Sequence, residues 1–429
     1  MMSRITCFPA RTMWMGALLT ALVAVPAAAQ QGGAIQSAAA VAAAALATEA
    51  PAPATEAQAA PAAAPPAENP VLKFFAGTEL SGFVDTYYSY NFNTPKTPCA
   101  TIGGVSAFNC LHNFDFNHNA FSLNLAELAL EKKPTAESRG GFRIDLNYGP
   151  TAAWVHGLEP GGPLVFQNIE QAYLSYLPPT AKGTLQLDFG KFVTMMGNEV
   201  IETKDNWNYS RSLLFALAIP YYHMGMRAVY SPNDKWTVQG HLVNGWNNVA
   251  DNNTGKSLGA SITYKPTGAV TIIENYMGGP EQLNTNTGWR HMSDTILSYT
   301  VDKQTSVALN YDIGHDGGLV GSDGALGAMW QGVAAYLKYQ RNDWFAVVPR
   351  YEFIKDKDMF MTGASQNVQE FTLTAEFKHK DGVMMRIEYR GDFSNNPFFT
   401  KTTDNTTELK KNQQAITVGW IYSFSSKTP

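Results

Sequence analysis

Val383-Met-Met-Arg-Ile-Glu-Tyr-Arg390 interleaves Val383, Met385, Ile387 and Tyr389 with Arg386, Glu388 and Arg390. Successive side chains of a strand point to opposite faces. Folded as a strand, this segment therefore offers one face to an apolar medium and full charges on the other. The same period recurs along the chain. Phe142, Ile144, Leu146 and Tyr148 alternate with Arg143, Asp145 and Asn147; Leu185, Leu187 and Phe189 with Gln186 and Asp188; Val307, Leu309 and Tyr311 with Ala308, Asn310 and Asp312. The pattern starts near residue 79 and predicts about sixteen strands. One of them changes phase, because Phe121-Leu123-Leu125 is followed by Leu128-Leu130. A β-bulge is expected there.

The connections between these strands alternate in length. Short turns are read at Leu177–Gly183, Ser231–Asp234, Lys265–Gly268, Gln340–Asp343 and Lys380–Gly382. Long polar loops are read at Asn93–Asn113, Gly149–Asn168, Thr194–Pro220, Gly314–Ala328 and Gly391–Asn412. That alternation fits an all-β, up-and-down antiparallel transmembrane barrel, whose polar face looks into the lumen and whose even strand count leaves both termini on the short-turn side. Aromatics gather where strands meet the short turns: Tyr176, Tyr230, Tyr264, Tyr299, Tyr339 and Phe377, with Trp236 and Trp344 opening two strands that leave. A membrane interface selects such a ring, because the body of the side chain is apolar and its tip stays wet. A soluble sandwich gives no reason for aromatics to collect at one end.

Composition agrees with this reading. Hydrophobic residues make up 45% of the 429 residues and aromatics 12%, so the chain is polar yet rich in rings. No stretch after residue 30 approaches the roughly 18–20 consecutive apolar residues of a membrane-spanning helix. Arg4 and Arg11, the apolar run Met13–Val25 and Ala27-Ala28-Ala29 read as a secretory signal peptide over 1–29. Residues 30–72, dominated by Ala and Pro, are expected to be a disordered periplasmic spacer, and 73–429 the barrel. Loss of the leader's two arginines leaves 29 basic against 36 acidic side chains. That balance argues against a nucleic-acid partner. Cys99 and Cys110 share one polar segment of an exported chain, where they could close a loop disulfide.

The last alternation, Thr417-Val-Gly-Trp-Ile-Tyr-Ser-Phe424, resembles the C-terminal signal of bacterial outer-membrane barrels: a polar residue, Gly419, then Tyr422 and Phe424 two apart. Five residues follow Phe424. The resemblance implies recognition by the barrel-assembly machinery. From about Ser81 to Phe424 the chain is also similar to the OmpL-like family of outer-membrane β-barrel porins. The segments that carry the likeness are Gly82-Phe-Val-Asp-Thr-Tyr-Tyr88, Phe121-Ser-Leu-Asn-Leu-Ala-Glu127, Gly190-Lys-Phe192, Glu202-Thr-Lys-Asp-Asn-Trp-Asn-Tyr-Ser-Arg-Ser212 and Pro220-Tyr-Tyr-His-Met-Gly225. It implies a porin-like fold and a place in the outer-membrane lipid, with no agreed substrate; passage of small hydrophilic solutes or ions is the expectation for a water-filled lumen of that width. It supplies no catalytic residues.

A lumen about sixteen strands round holds water, so selectivity depends on what narrows it. The segment Thr194–Pro220 follows the fifth strand, the place from which general porins fold a constriction loop inward. It carries Glu199, Glu202, Lys204, Asp205 and Arg211, with an apolar run Leu213–Ile219 to pack it down. By phase, Arg227, Arg350, Arg386 and Arg390 face the lumen from the wall. Opposed charges of this kind sort ions; equally, they could be salt bridges that stiffen the wall. His112, Asp115 and His118 lie close together without a further Cys or His, and the glycines Gly317–Gly327 lack the Lys-Ser/Thr of a phosphate loop. No metal and no cofactor is expected, and Gly317–Gly327 is read as a flexible external loop.

Two rivals remain open: a closed barrel acting as an adhesin or structural protein, and an outer-membrane lipid hydrolase using Ser with His223 or His241. No Gly-x-Ser-x-Gly elbow supports the second. The apolar outer face fits lipid or a neighbouring barrel, which leaves a homotrimer as one expected assembly.

Overall fold

A computed structural model describes residues 77–160 and 162–427; the leader and the Ala/Pro-rich spacer lie outside the described residues. The sixteen barrel strands are β1 Glu79–Asn91, β2 Ala120–Lys132, β3 Gly140–Tyr148, β4 Ile169–Tyr176, β5 Thr184–Val193, β6 Tyr222–Asn233, β7 Trp236–Val243 and β8 Ser257–Tyr264. They continue as β9 Val270–Pro280, β10 Trp289–Thr300, β11 Thr305–Val320, β12 Leu326–Asn342, β13 Phe345–Asp356, β14 Gln366–Lys378, β15 Val383–Ser394 and β16 Asn412–Ser425. Each pairs antiparallel with its sequence neighbours, and β1 closes on β16 in a register running from Ser81 opposite Ser425 to Asn91 opposite Ala415. Closure removes both sheet edges. A lipid-facing sheet requires this, because hydrocarbon offers an unpaired N–H or C=O no partner.

The two faces divide as the alternation predicts. Leu309 is 43% exposed on the outside, whereas Asp312 three residues on is fully buried inside. Ile387, Val383 and Tyr351 face outward; Arg386, Glu388 and Arg390 face inward. Among the described residues no helix is long and apolar enough to cross a membrane. The phase change in β2 is a bulge: Asp85 pairs with Leu125 and Thr86 with Leu123, leaving Asn124 unopposed. The extra residue turns both Asn124 and Leu125 inward. At the short-turn end, Trp236 stacks on Tyr264 with ring centroids 4.1 Å apart, and Trp344 and Phe345 pack on Phe377.

One connection differs from expectation. The glycines from Gly314 continue β11 instead of forming a long loop, and only residues 321–325 separate β11 from β12. Gly314 pairs with Trp330, and a Cβ on Gly314 would lie 2.0 Å from the Trp330 ring. The glycine is there so that a large indole can lie across the strand. The first long loop carries a disulfide between Cys99 and Cys110, with Cα atoms 5.5 Å apart, and a small hairpin of Ala100–Ile102 with Val105–Ala107.

Because Ile387 faces outward near the middle of β15, Ile387→Arg should destabilise the barrel in lipid vesicles by about 2–4 kcal/mol, read as a lower urea midpoint. The lumen-facing control Gln239→Arg should leave the midpoint within about 1 kcal/mol.

Candidate functional site

Residues 194–221, between β5 and β6, are bonded to lumen-facing side chains around the barrel. On one side the Gly197 N–H donates to Asp294 of β10 (2.8 Å) and the Asn198 N–H to Asn310 of β11 (3.2 Å). On another, the Thr203 hydroxyl and the Tyr209 hydroxyl both donate to Asp85 of β1, at 2.6 and 2.8 Å. The N–H groups of Tyr209 and Ser210 donate to the two carboxylate oxygens of Glu388 on β15, at 2.6 and 2.9 Å. Strands on several sides of the lumen thus hold one stretch of chain.

Local sequence explains its shape. Thr203–Asp205 is a single 3-10 turn, and Leu213–Leu217 is a short helix whose N-cap, Ser212, accepts the Phe215 N–H at 3.0 Å. A side-chain oxygen at that position satisfies a helix-end N–H that otherwise lacks a partner. The run Leu213–Ile219 packs as a buried cluster with Phe114, Phe192 and Trp330, and the Trp330 indole N–H donates to the Ala218 carbonyl at 3.1 Å. The first long loop covers it: Asn113 donates to the Ala216 carbonyl at 2.7 Å. Two wall glycines make room. A Cβ on Gly419 would lie 2.2 Å from the Tyr209 ring, and one on Gly332 would lie 2.6 Å from Leu214. Gly419, read from sequence as part of the assembly signal, also seats this segment, while Tyr422 and Phe424 face outward.

The structure places the sequence-predicted charges as follows. Arg350 is fully buried: it pairs with Glu199 (3.0 Å), Glu370 (3.1 Å) and Glu352 (3.2 Å), and donates to the Ser210 carbonyl (2.7 Å). Arg386 pairs with Glu376 (2.6 Å) and donates to the carbonyls of Thr203 (2.7 Å), Asn208 (3.0 Å) and Asn206. Arg390 pairs with Asp392 (2.9 Å) and donates to the Arg211 carbonyl (2.8 Å). These three wall arginines meet the segment mainly through its carbonyl oxygens, and only Glu199 answers them with a carboxylate. Arg211 turns back on its own segment, donating to the carbonyls of Val200 (2.9 Å), Tyr209 (2.7 Å) and Ile201, and lies over the Phe114 ring.

Other charged groups of the segment and the wall keep contact with solvent. Lys204 and Asp205 pair at 2.5 Å with side chains 27% and 34% exposed. Arg227 (17%) pairs with Asp188 at 2.7 Å, and Arg143 (24%) with Asp145 at 2.8 Å. Glu202 instead joins Glu127 and Glu170, two residues not singled out from sequence. Of the histidines, His112 lies between Asp115 (2.7 Å) and Asp392 (3.0 Å), His118 accepts the Asn91 N–H, and His223 contacts the Gly245 carbonyl and the Thr194 hydroxyl. His241 meets Gln239.

The sequence family described as "Putative beta-barrel porin-2, OmpL-like" matches the chain over residues 77–424. No curated protein matches it. Among solved structures, the anion-selective porin from Comamonas acidovorans superposes with a TM-score of 0.52 at 10% identity, over 81% of this chain and 99% of that one. The outer membrane channel DcaP of Acinetobacter baumannii gives 0.50 at 13% identity, over 81% and 98%. A trimer form of OmpT from Vibrio cholerae gives 0.50 at 12%, over 81% and 99%. At these identities the likeness is one of fold.

Removing the guanidinium of Arg350 leaves buried carboxylates without compensation. Arg350→Met should therefore cost about 3–5 kcal/mol, seen as a lower urea midpoint and new tryptic cleavage after Lys204; adding Glu199→Gln should recover part of the loss. A pH effect is expected at His112. Burial and the Arg390 guanidinium oppose its charged form, but Asp115 and Asp392 outweigh them and hold the imidazole above its ordinary value. A raised folded value means that the contribution is complete below about pH 6.5, the unfolded value. It fades as pH rises through the folded value. Protease protection of the first long loop should accordingly weaken on alkalinisation above neutrality, and His112→Gln should remove that dependence.

Proposed function

Because the chain belongs to the OmpL-like family of β-barrel porins and is an outer-membrane channel, we propose that residues 194–221 narrow its lumen and that the surviving opening passes small hydrophilic solutes or ions. The observation that carries this reading is the set of bonds from one segment to Asp85, Asp294, Asn310, Arg350, Arg386 and Glu388, which come from strands around the wall. A chain held from so many sides lies across the path and is fixed in place. Rigid placement matters, because a constriction free to shift out of the path would not sort ions by charge.

Two roles divide among the charges. Arg350, Arg386 and Arg390 are anchors: fully buried, they neutralise wall carboxylates and hold segment carbonyls. The groups an ion meets are Lys204 and Asp205 on the segment and Arg227 and Arg143 on the wall, each still in contact with solvent. Rings of charge at a narrow point set the sign of selectivity. The porins and channels of similar fold, together with the family, are a non-enzymatic setting, and His223 and His241 are engaged by Thr194, Gly245 and Gln239 in the lumen wall. Association into a homotrimer is the assembly proposed for the mature barrel, since one OmpT structure of similar fold is described as a trimer form; the barrel-assembly machinery would insert it through the strand that carries Phe424.

In a planar bilayer under a salt gradient, Lys204→Gln should shift the reversal potential toward cations and Asp205→Asn toward anions. A unit charge about 8 Å from the ion path in water contributes about 0.5 kcal/mol, with opposite sign for cation and anion, so each cation-to-anion permeability ratio should change about fivefold. Unchanged reversal potentials in both variants would remove Lys204 and Asp205 from the path.

A further inference from the structure

Glu127 of β2, Asn147 of β3 and Glu170 of β4 form a row on the lumen face. Glu127 and Asn147 are opposite one another in register, and Glu170 is the residue left over where the β3–β4 pairing shifts between Asp145 and Leu146. The Asn147 N–H reaches past it to the Asn168 carbonyl at 3.1 Å. Onto this row the segment lays Glu202, and one carboxylate oxygen from each of Glu127, Glu170 and Glu202 lies within 4.8 Å of the other two. Each of the four side chains is at least nine-tenths buried.

Unpartnered oxygens make this more than an acidic cluster. Glu127 Oε2, Glu170 Oε1 and Asn147 Oδ1 are buried without a hydrogen-bond partner. The Asn147 amide already touches the cluster, because its nitrogen donates to Glu170 Oε2. Its free oxygen is on that same amide group. Neighbouring cations are directed elsewhere: Lys204 to Asp205, Arg143 to Asp145, and Lys191 to the Ile169 carbonyl and His156. Buried carboxylates are found paired or coordinating a metal; these have no cation in contact with their free oxygens.

We infer that Glu127, Asn147, Glu170 and Glu202 bind one Ca2+ ion that fastens the tip of the segment to the wall of β2–β4. All the donors are oxygens, which suits a hard cation and disfavours zinc. Coordination habit then separates calcium from magnesium: a buried set of three carboxylates and an amide carbonyl suits Ca2+, whose flexible shell is filled largely by protein oxygens, and disfavours Mg2+, which keeps several waters in a near-ideal octahedron. Ca2+ binding stands on these residues alone; its effect on current rests on the proposal that residues 194–221 narrow the lumen.

The test is equilibrium dialysis of radioactive Ca2+ against the full chain folded in lipopolysaccharide-free detergent micelles after chelation, with folding followed by heat-modifiable migration. One ion per barrel is expected, with affinity reduced at least about tenfold in Glu202→Gln and binding lost in Glu127→Gln/Glu170→Gln/Glu202→Gln. A folded barrel that binds no Ca2+, or a folded triple variant that binds as well as the parent, overturns the inference. Glu202→Gln removes the segment's ligand and leaves the wall intact, so it remains informative if the triple variant does not fold. Conductance separates the two readings. Site-dependent Ca2+ binding with a change in single-channel current on chelation supports both. The same binding with unchanged current supports the site and overturns its role in holding the segment across the path.

Discussion

A fully buried guanidinium at Arg350 is shared between the wall carboxylates Glu352 and Glu370 and, on the segment, Glu199 and the carbonyl of Ser210, and the arrangement of the lumen depends on it. A charge in that position is tolerable only if every donor is used. Arg350 is satisfied only when the segment is in place, and the segment keeps its place because Glu199, Ser210 and Arg211 supply the acceptors. Arg386 and Arg390 repeat the arrangement on β15. Interior polarity is therefore a fixed network that joins the segment to the wall.

The outer wall obeys a different rule. Against lipid the backbone must pair fully and the outward residues must be apolar, which closure of β1 on β16 and the alternation together achieve. Inward positions escape that rule, so side chains of every kind appear there, including glycines placed for what lies across them. Gly419 and Gly332 are two such places: Tyr209 and Leu214 occupy the space that a Cβ would take. The wall and the segment are thus fitted to each other residue by residue.

Much of this was legible in the sequence. Alternation in Val383–Arg390 and its counterparts fixes both the strands and their faces, since a one-residue slip would turn every charge of a strand toward lipid. Alternating connection lengths indicated the topology, and the bulge at Asn124 showed as a phase change. The position of Thr194–Pro220 after the fifth strand suggested a constriction by analogy with general porins, and that role is a proposal. Partners within it were not legible. Tyr209 meets Asp85, and Glu202 meets Glu127 and Glu170, through contacts that depend on the closing register of the barrel and on the path of an irregular loop. No period encodes either. The glycines after Gly314 misled for a local reason: their composition suggests a loop, whereas at Gly314 itself a tryptophan on the next strand is what demands the missing side chain. The segments Glu202–Ser212, Gly82–Tyr88 and Phe121–Glu127, which carried the family likeness, are among those that bring segment and wall together.

If residues 194–221 lie in the conducting path as proposed, a charged group attached at position 204 must reduce the current. Lys204→Cys, in a background with Cys99 and Cys110 left bridged, would be opened in a planar bilayer and exposed to a charged methanethiosulfonate reagent. A stepwise fall in single-channel current is expected as the added group fills the narrow opening, reversed by a mild thiol reductant under conditions that leave the loop disulfide intact. Full labelling of the introduced thiol, verified by mass, with single-channel current unchanged would contradict it.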